Sequence, residues 1–523
     1  MDATGIGMVF DGVTDNTEAF LRIASLSGSG CKIKLPAGTA IITNGVALSN
    51  LKNIVFEGEG EEITIIKLLS GNLSLKAPDN VIFKNLSFHG TANDIAGTPG
   101  YQSVWVSNYN KIKFKSCTFR HFGGLTKNKV GSVALFLYAG DSVSSNLASG
   151  DSKNARVLDC TFDGDSRFTN FGIRLFTEFN TSEMASNSDG LITGCTFNGF
   201  NWNAVEIAGP KTSSIRVSNC VANLCGLTPF DLDKGVTSCA VTNVTINRLL
   251  GNIDTDVNPN TAITCVAIQG TSNAGGYSTG CTVNDVTVNL LAADLNAYTG
   301  RGCAAVGAAY CKNSTISNIV VNIDTQPIKP ITSTYAFAVV RAYTISGVKI
   351  KNILTTNATV GITGQAENGL VGSEYNIFED IVNIGVMKGE ALNYSSAAGV
   401  TSKNIYKSIK FKTDGSDLIY PYNNSILSLT SDLISASAFL FENCHFASDL
   451  QGINGVNGNA SVASFDDVNM SIPNSANWFK PISKISNLYF GDNSYNGLPV
   501  DRSLTFANLS STSIVHQRKT AQI

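Results

Sequence analysis

Along most of the chain, apolar side chains recur in one spacing: two positions two apart, a two-residue bend, then two more positions two apart. Ile112, Phe114, Cys117 and Phe119 form one copy. Val81/Phe83/Leu86/Phe88, Ile215/Val217/Cys220/Ala222, Cys239/Val241/Val244/Ile246 and Cys281/Val283/Val286/Val288 repeat it, with looser copies ending at Phe162, Phe197, Val321 and Ile350. A period of two is that of a strand with one buried face, so each copy predicts two short strands joined by a corner. The anchors Leu86, Cys117, Cys160, Cys195, Cys220, Val244, Val286, Ile319 and Val348 lie 24 to 43 residues apart, a spacing of one solenoid coil with loops of variable length. The pattern predicts a parallel solenoid over 51–411. Residues 1–50 read as an entry unit, and 412–523 as a separate cap or trimerisation region in which Phe439/Phe441/Cys444/Phe446 is one further copy.

Upstream of each doublet lies a third alternating segment. Its inward pairs align as Val104/Val106, Leu135/Leu137, Ile173/Leu175, Val205/Ile207, Phe230/Leu232 and Val266/Ile268. The residues between them face outward and form the ladder Trp105, Phe136, Arg174, Glu206, Asp231, Ala267. The next outward positions are Ser107, Tyr138, Phe176, Ala208, Asp233 and Gln269. Two adjacent ladders thus carry aromatic rings at one end and acids at the centre. A one-residue slip in register would turn every one of these side chains inward.

Composition adds exclusions. Formal net charge is −3 over 523 residues, and no Arg/Lys cluster marks a nucleic-acid or anionic-membrane surface. No apolar run is long enough to span a bilayer, and the N-terminus lacks the basic and apolar regions of a signal peptide. Twelve cysteines invite a disulfide reading, yet Cys117, Cys160, Cys195 and Cys220 occupy the same inward position of successive repeats. They are expected to be reduced, buried thiols in a protein assembled in a cytoplasm. The four histidines are scattered and no C-x-x-C pair occurs, so no metal or other cofactor is expected.

The entry unit DGVTDNTEAFLRIASLSGSGCKIKLPAGTAIIT predicts a short helix over 17–24, capped by Thr14 or Asp15, with Phe20 and Ile23 covering the open end of the solenoid. Its DG-V-T-D-x-T segment, helix and strand ending in L-P-A-G resemble the entry motif of the pectate-lyase-like superfamily. The resemblance is especially to bacteriophage tailspikes and capsule depolymerases. It implies an all-β, right-handed parallel β-helix with a short N-terminal capping helix and a C-terminal β-rich cap. It further implies a homotrimer on a virion tail, docked to other phage tail proteins and acting on a bacterial surface polysaccharide, capsule or O-antigen. The segment Asp231-Leu232-Asp233-Lys234 looks like a D-x-D-K segment of some phage depolymerases.

A polysaccharide-cleaving groove needs flat apolar faces for sugar C–H groups and carboxylates for acid/base work. Glu206, Asp231 and Asp233 are the candidate catalytic acids. Candidate substrate-binding residues are Arg174, Lys234, Tyr138, Phe136, Phe176, Trp105, Trp202 and Glu178, with Phe200 beside Trp202 as part of one groove wall; Arg174 could instead be the counter-ion of Glu206. On a strand lattice Glu206 and Asp231 stand about 5 Å apart at Cβ, and Glu206 and Asp233 about 8 Å, so retaining and inverting hydrolysis both stay open. Two other functions fit the same residues. A polysaccharide lyase would use Arg174 and Lys234 to quieten a uronate and Tyr138 as acid. A non-enzymatic glycan-binding spike would use the groove alone, and the aromatics could instead lie in a subunit interface.

Overall fold

A computed structural model describes residues 1–28, 30–91, 102–122, 133–140, 150–164, 171–177, 185–249, 263–272, 276–297, 303–325, 337–366, 374–387, 392–396, 403–413, 425–431, 437–447, 451–457, 460–466, 469–471, 487–490, 494–495, 498–499 and 514–517. The chain divides into two compact units, Met1–Pro259 with Asn273–Thr282, and Asn260–Ser272 with Val283–Ile523. In both, strands of successive coils pair in parallel, the pattern of a parallel β-helix.

In the first unit the sheet that matters for function is built from β1 (Val46–Ser49), β2 (Leu73–Lys76), β3 (Val104–Ser107), β4 (Val133–Ala139), β5 (Phe171–Thr177), β6 (Asn203–Ala208) and β7 (Phe230–Asp233), each parallel to the next. The doublet segments form the remaining walls. In Asn110–Arg120, for example, Ile112 pairs with Val81 and Phe119 with Phe88.

The corner has a backbone cause. The second residue of each two-residue bend sits at positive φ: Asn85 (55°), Ser116 (49°), Asp159 (53°), Asn219 (53°) and Asn243 (50°). That left-handed region is cheapest for Gly, Asn and Asp, so the polar bend in the sequence pattern is a conformational requirement. Stacking of coils then lets the corner amides bond each other: Asn243 Nδ2 donates to Asn219 Oδ1 at 2.7 Å.

Inward side chains stack in register along the coil axis. Phe83 lies on Phe56 at 4.5 Å and Phe114 on Phe83 at 5.3 Å, while Phe119 carries Phe88 at 5.1 Å and Phe162 at 4.6 Å. These rings are fully buried, which makes the column the main apolar store of the unit. Over its end lies α1 (Thr17–Arg22), followed by a single 3-10 turn to Leu26. Phe20 and Ile23 are buried as the amphipathic spacing predicts. The side chain at the helix start is Asp15, whose Oδ1 accepts from the Thr17 amide at 3.0 Å and whose Oδ2 accepts from Thr43 Oγ1 at 2.6 Å. Hydroxyl hydrogen bonds from Thr17 and Thr43 hold the Asp15 carboxyl down at about 2.

The second unit repeats the plan with β8 (Ile263–Gln269), β9 (Cys303–Lys312), β10 (Phe337–Ser346), β11 (Val360–Ala366), β12 (Leu392–Ser396), β13 (Ser425–Ser431) and β14 (Gln451–Asn457). All pair in parallel with their neighbours. Parallel pairing continues past residue 412, through Ser437–Glu442 and Ala460–Asp466 to Asn487–Phe490 and Ile514–Gln517. Corner residues Asp285, Asn318 and Asn352 again have positive φ, and Asn352 Nδ2 donates to Asn318 Oδ1 at 2.9 Å.

All twelve cysteines are free thiols, eleven of them buried and Cys31 half-buried. Burial pushes Cys225 and Cys239 up to about 12, and Cys195 and Cys220 rise because each thiol sits against the preceding one in the column. Thiolate, the reactive form, is therefore suppressed. In a thiol-disulfide titration with an aromatic disulfide reagent, the native protein is expected to release at most about one equivalent quickly, through Cys31, and the rest only in denaturant. Rapid release of several equivalents from native protein would contradict this packing.

Candidate functional site

β5, β6 and β7 alternate as parallel strands with one buried face must. Ile173, Leu175, Val205, Ile207, Phe230 and Leu232 point into the core, each at most 1 % exposed. Their outward neighbours fall into two lines fixed by the pairing: Arg174 opposite Glu206 opposite Asp231, and Phe176 opposite Ala208 opposite Asp233. Upstream the lines continue as Phe136 and Trp105, and as Tyr138 and Ser107. The strand register deduced from the apolar pattern is the one observed.

Glu206 is the centre of the charge arrangement. Its side chain is only 6 % exposed and takes two cations, the Arg174 guanidinium through Nε to Oε2 and the Lys234 ammonium to Oε1 at 3.5 Å. A carboxylate this buried costs several kcal/mol to desolvate, and two partners offset that cost. Lys234 reaches back because the chain leaves β7 through two successive left-handed residues, Lys234 at φ 61° and Gly235 at φ 84°. On the intervening strand the residue paired with both Phe176 and Asp233 is the small Ala208. The ammonium lies 5.9 Å from the Phe176 centroid, two strands from its own.

The same ammonium stands 3.6 Å from Asp233 Oδ2. One cation therefore joins two carboxylates, whose facing oxygens are at most about 7 Å apart, a span that admits both retaining and inverting geometry. Burial pushes the Asp233 carboxyl up to about 6; Lys234 pulls against that rise and the Glu206 charge adds to it. Asp231 is buried on the adjacent position, where Asn203 Nδ2 donates to its Oδ2 at 3.4 Å and to the Thr228 carbonyl at 2.6 Å.

Arg174 lies among rings: its guanidinium carbon is 4.6 Å from the Phe176 centroid, 5.0 Å from Phe171 and 5.9 Å from Phe136. Phe171 opens β5 and meets Trp202 edge to face at 5.3 Å. Trp105 packs on Phe136 at 5.0 Å and on Tyr138 at 6.0 Å, and Tyr138 stacks on Phe176 at 6.1 Å. The aromatic end is thus one continuous cluster. Trp105, Phe136 and Phe176 are half-buried and present ring surface.

Two placements differ from the sequence reading. Tyr138 is 3 % exposed, closed in by Trp105 and Phe176, so it is a support for the cluster and not an open platform. Phe200 is fully buried against Phe197 at 6.3 Å, whereas Trp202 is half-buried and packs edge to face on Phe171. Glu178 lies outside the described residues. Ala267 and Gln269 stand on β8 in the second unit. Phe171 and Asn203 were missed because each precedes the inward pair from which the ladder was counted.

Among the described residues no group of three or more His, Cys, Asp or Glu side chains could hold a metal ion, and no helix is long and apolar enough to cross a membrane.

No family model and no curated protein matches the sequence. Similar solved structures include the A-module of Azotobacter vinelandii mannuronan C-5 epimerase AlgE6, with 12 % identity, a TM-score of 0.43 and coverage of 90 % of this chain and 100 % of that one. The N-terminal fragment of bacteriophage Phi29 gene product 12 is 13 % identical with a TM-score of 0.44, over 95 % of this chain and 91 % of that one. The Dettilon tailspike protein gp208 is 11 % identical with a TM-score of 0.43, over 78 % of this chain and 68 % of that one.

Proposed function

We propose that the chain binds a polysaccharide along β3 to β7 and hydrolyses a glycosidic bond there, with Asp233 as proton donor and Glu206 as the ionised partner. The observation that carries this reading is the Lys234 ammonium set between the two carboxylates, at 3.5 Å from Glu206 and 3.6 Å from Asp233. Hydrolysis of this kind needs two carboxyl groups in unlike protonation states on either side of the bond. Glu206 is paired with two cations, whereas Asp233 shares one of them and is raised by burial. Glu206 is reached past Lys234, the more exposed of its two cations at 30 % against 18 % for Arg174.

A lyase would need Arg174 and Lys234 turned toward a substrate carboxylate. Both are turned toward Glu206, which favours hydrolysis. The biological setting we infer is a bacteriophage tail spike acting on capsule or O-antigen, as a homotrimer docked to other tail proteins. Its support is the entry motif from Asp11 to Gly38 and the solenoid it opens.

The test is incubation with a panel of purified capsular and O-antigen polysaccharides, followed by reducing-end assay and absorbance of unsaturated uronates. New reducing ends without the unsaturated chromophore are expected on at least one polysaccharide. The chromophore would establish elimination instead, and binding without any product would leave a glycan-binding spike.

A further inference from the structure

We propose that the sugar unit held against Glu206 and Asp233 is uncharged, and that Arg174 and Lys234 act as positioning residues for the acids and not as clamps for an anionic substrate. The inference rests on the reading of this face as a glycan site and adds the class of glycan.

Three observations lead to it. First, both cations are already committed. The Arg174 guanidinium bonds Glu206 through Nε and lies against Phe176, Phe171 and Phe136, which leaves its π-face covered. The Lys234 ammonium divides itself between Glu206 and Asp233. An incoming carboxylate, sulfate or phosphate would compete with Glu206 and Asp233 for these cations in a partly dehydrated site.

Second, the local charge is not positive. Arg174 and Lys234 stand against Glu206, Asp231 and Asp233, so the set carries −1 with Asp233 ionised and 0 with it protonated. On the two outward lines of this sheet, the other described cation is Lys76 on β2, four strands from Glu206. At about 4.8 Å per strand that is roughly 19 Å, beyond the Debye length at physiological salt. Among the described residues on these two lines, no further cation near the acids balances a polyanion.

Third, what the face does offer suits neutral hydroxyls and C–H groups. Half-buried ring surface of Trp105 and Phe136 lies upstream of the acids, and carboxylate oxygens accept hydrogen bonds from sugar hydroxyls.

The experiment uses the full chain and pairs of polysaccharides. Each uronate-containing bacterial polysaccharide is tested as isolated and after carbodiimide–borohydride reduction, which turns uronic carboxyls into hydroxymethyl groups, beside neutral polysaccharides. Binding is measured at 50 and 500 mM NaCl, and products are measured separately. The expected result is binding to a neutral or carboxyl-reduced glycan that changes less than about twofold across that salt range. Lys234→Met should retain that binding within about threefold while altering the pH profile of cleavage. Binding confined to native anionic forms, or weakened tenfold or more by salt or by Lys234→Met, would overturn the proposal and leave the catalytic reading standing. Binding of a neutral glycan without cleavage would do the reverse, and no binding to any glycan would overturn both.

Discussion

Glu206→Gln is expected to lower glycan cleavage by about 10²–10⁴-fold while glycan binding changes little. The amide keeps the shape of the side chain and can still accept from the Arg174 Nε, but it carries no charge for the transition state and cannot take a proton from water. The variant is also expected to melt at a lower temperature. Arg174 and Lys234 are 18 % and 30 % exposed and lose the charge that both face. Removing one member of a buried pair costs about 3–5 kcal/mol in the harsher cases. Here the cost is softened because Arg174 keeps its rings and Lys234 keeps Asp233. Initial rates by reducing-end assay, set beside thermal melts, separate the two effects. A purely structural Glu206 would lower the melting temperature and leave the rate per folded molecule unchanged.

The second large effect is in pH. With Asp233 pushed up to about 6 by burial and by Glu206, the proton-donating form is populated at and below that value. Cleavage by the wild type should therefore fall as pH rises through about 6. Asp233→Asn should lose about 10²-fold or more of activity at pH 5.5 and show no such limb in what remains. The linked stability effect has a definite sign. A carboxyl that binds its proton more tightly in the folded state than its ordinary value of 3.8 contributes stability that is fully present below 3.8 and is lost as pH rises through about 6. The melting temperature of wild type relative to Asp233→Asn should thus decline between pH 4 and pH 7. A flat difference would show that Asp233 titrates in the folded protein as it does in the open chain.

Much of this was legible in the residue pattern, and the reasons differ by level. Coil register followed from alternation, because one buried face leaves each strand a single acceptable phase; Val205 and Ile207 could not be inward unless Glu206 was outward. The corners were legible because positive φ selects Asn, Asp, Ser and Gly, as at Asn219 and Asn243. What the pattern could not carry was the direction of long side chains. It left Arg174 open between a counter-ion of Glu206 and a clamp for a substrate, and gave Lys234 no direction; both fold down onto Glu206. Lys234 does so where the chain leaves its strand through two left-handed residues, Lys234 and Gly235. Alternation likewise gave Tyr138 an outward position but not its burial, which comes from the width of its neighbours Trp105 and Phe176.

The central claim is that water is added across a glycosidic bond by the Glu206 and Asp233 pair. It is tested most directly by digesting a cleaved polysaccharide in water enriched in oxygen-18 and weighing the fragments. The account predicts one heavy oxygen at each new reducing end for wild-type protein and no new ends for Glu206→Gln. Fragments that lack the label and carry an unsaturated terminal residue would contradict it.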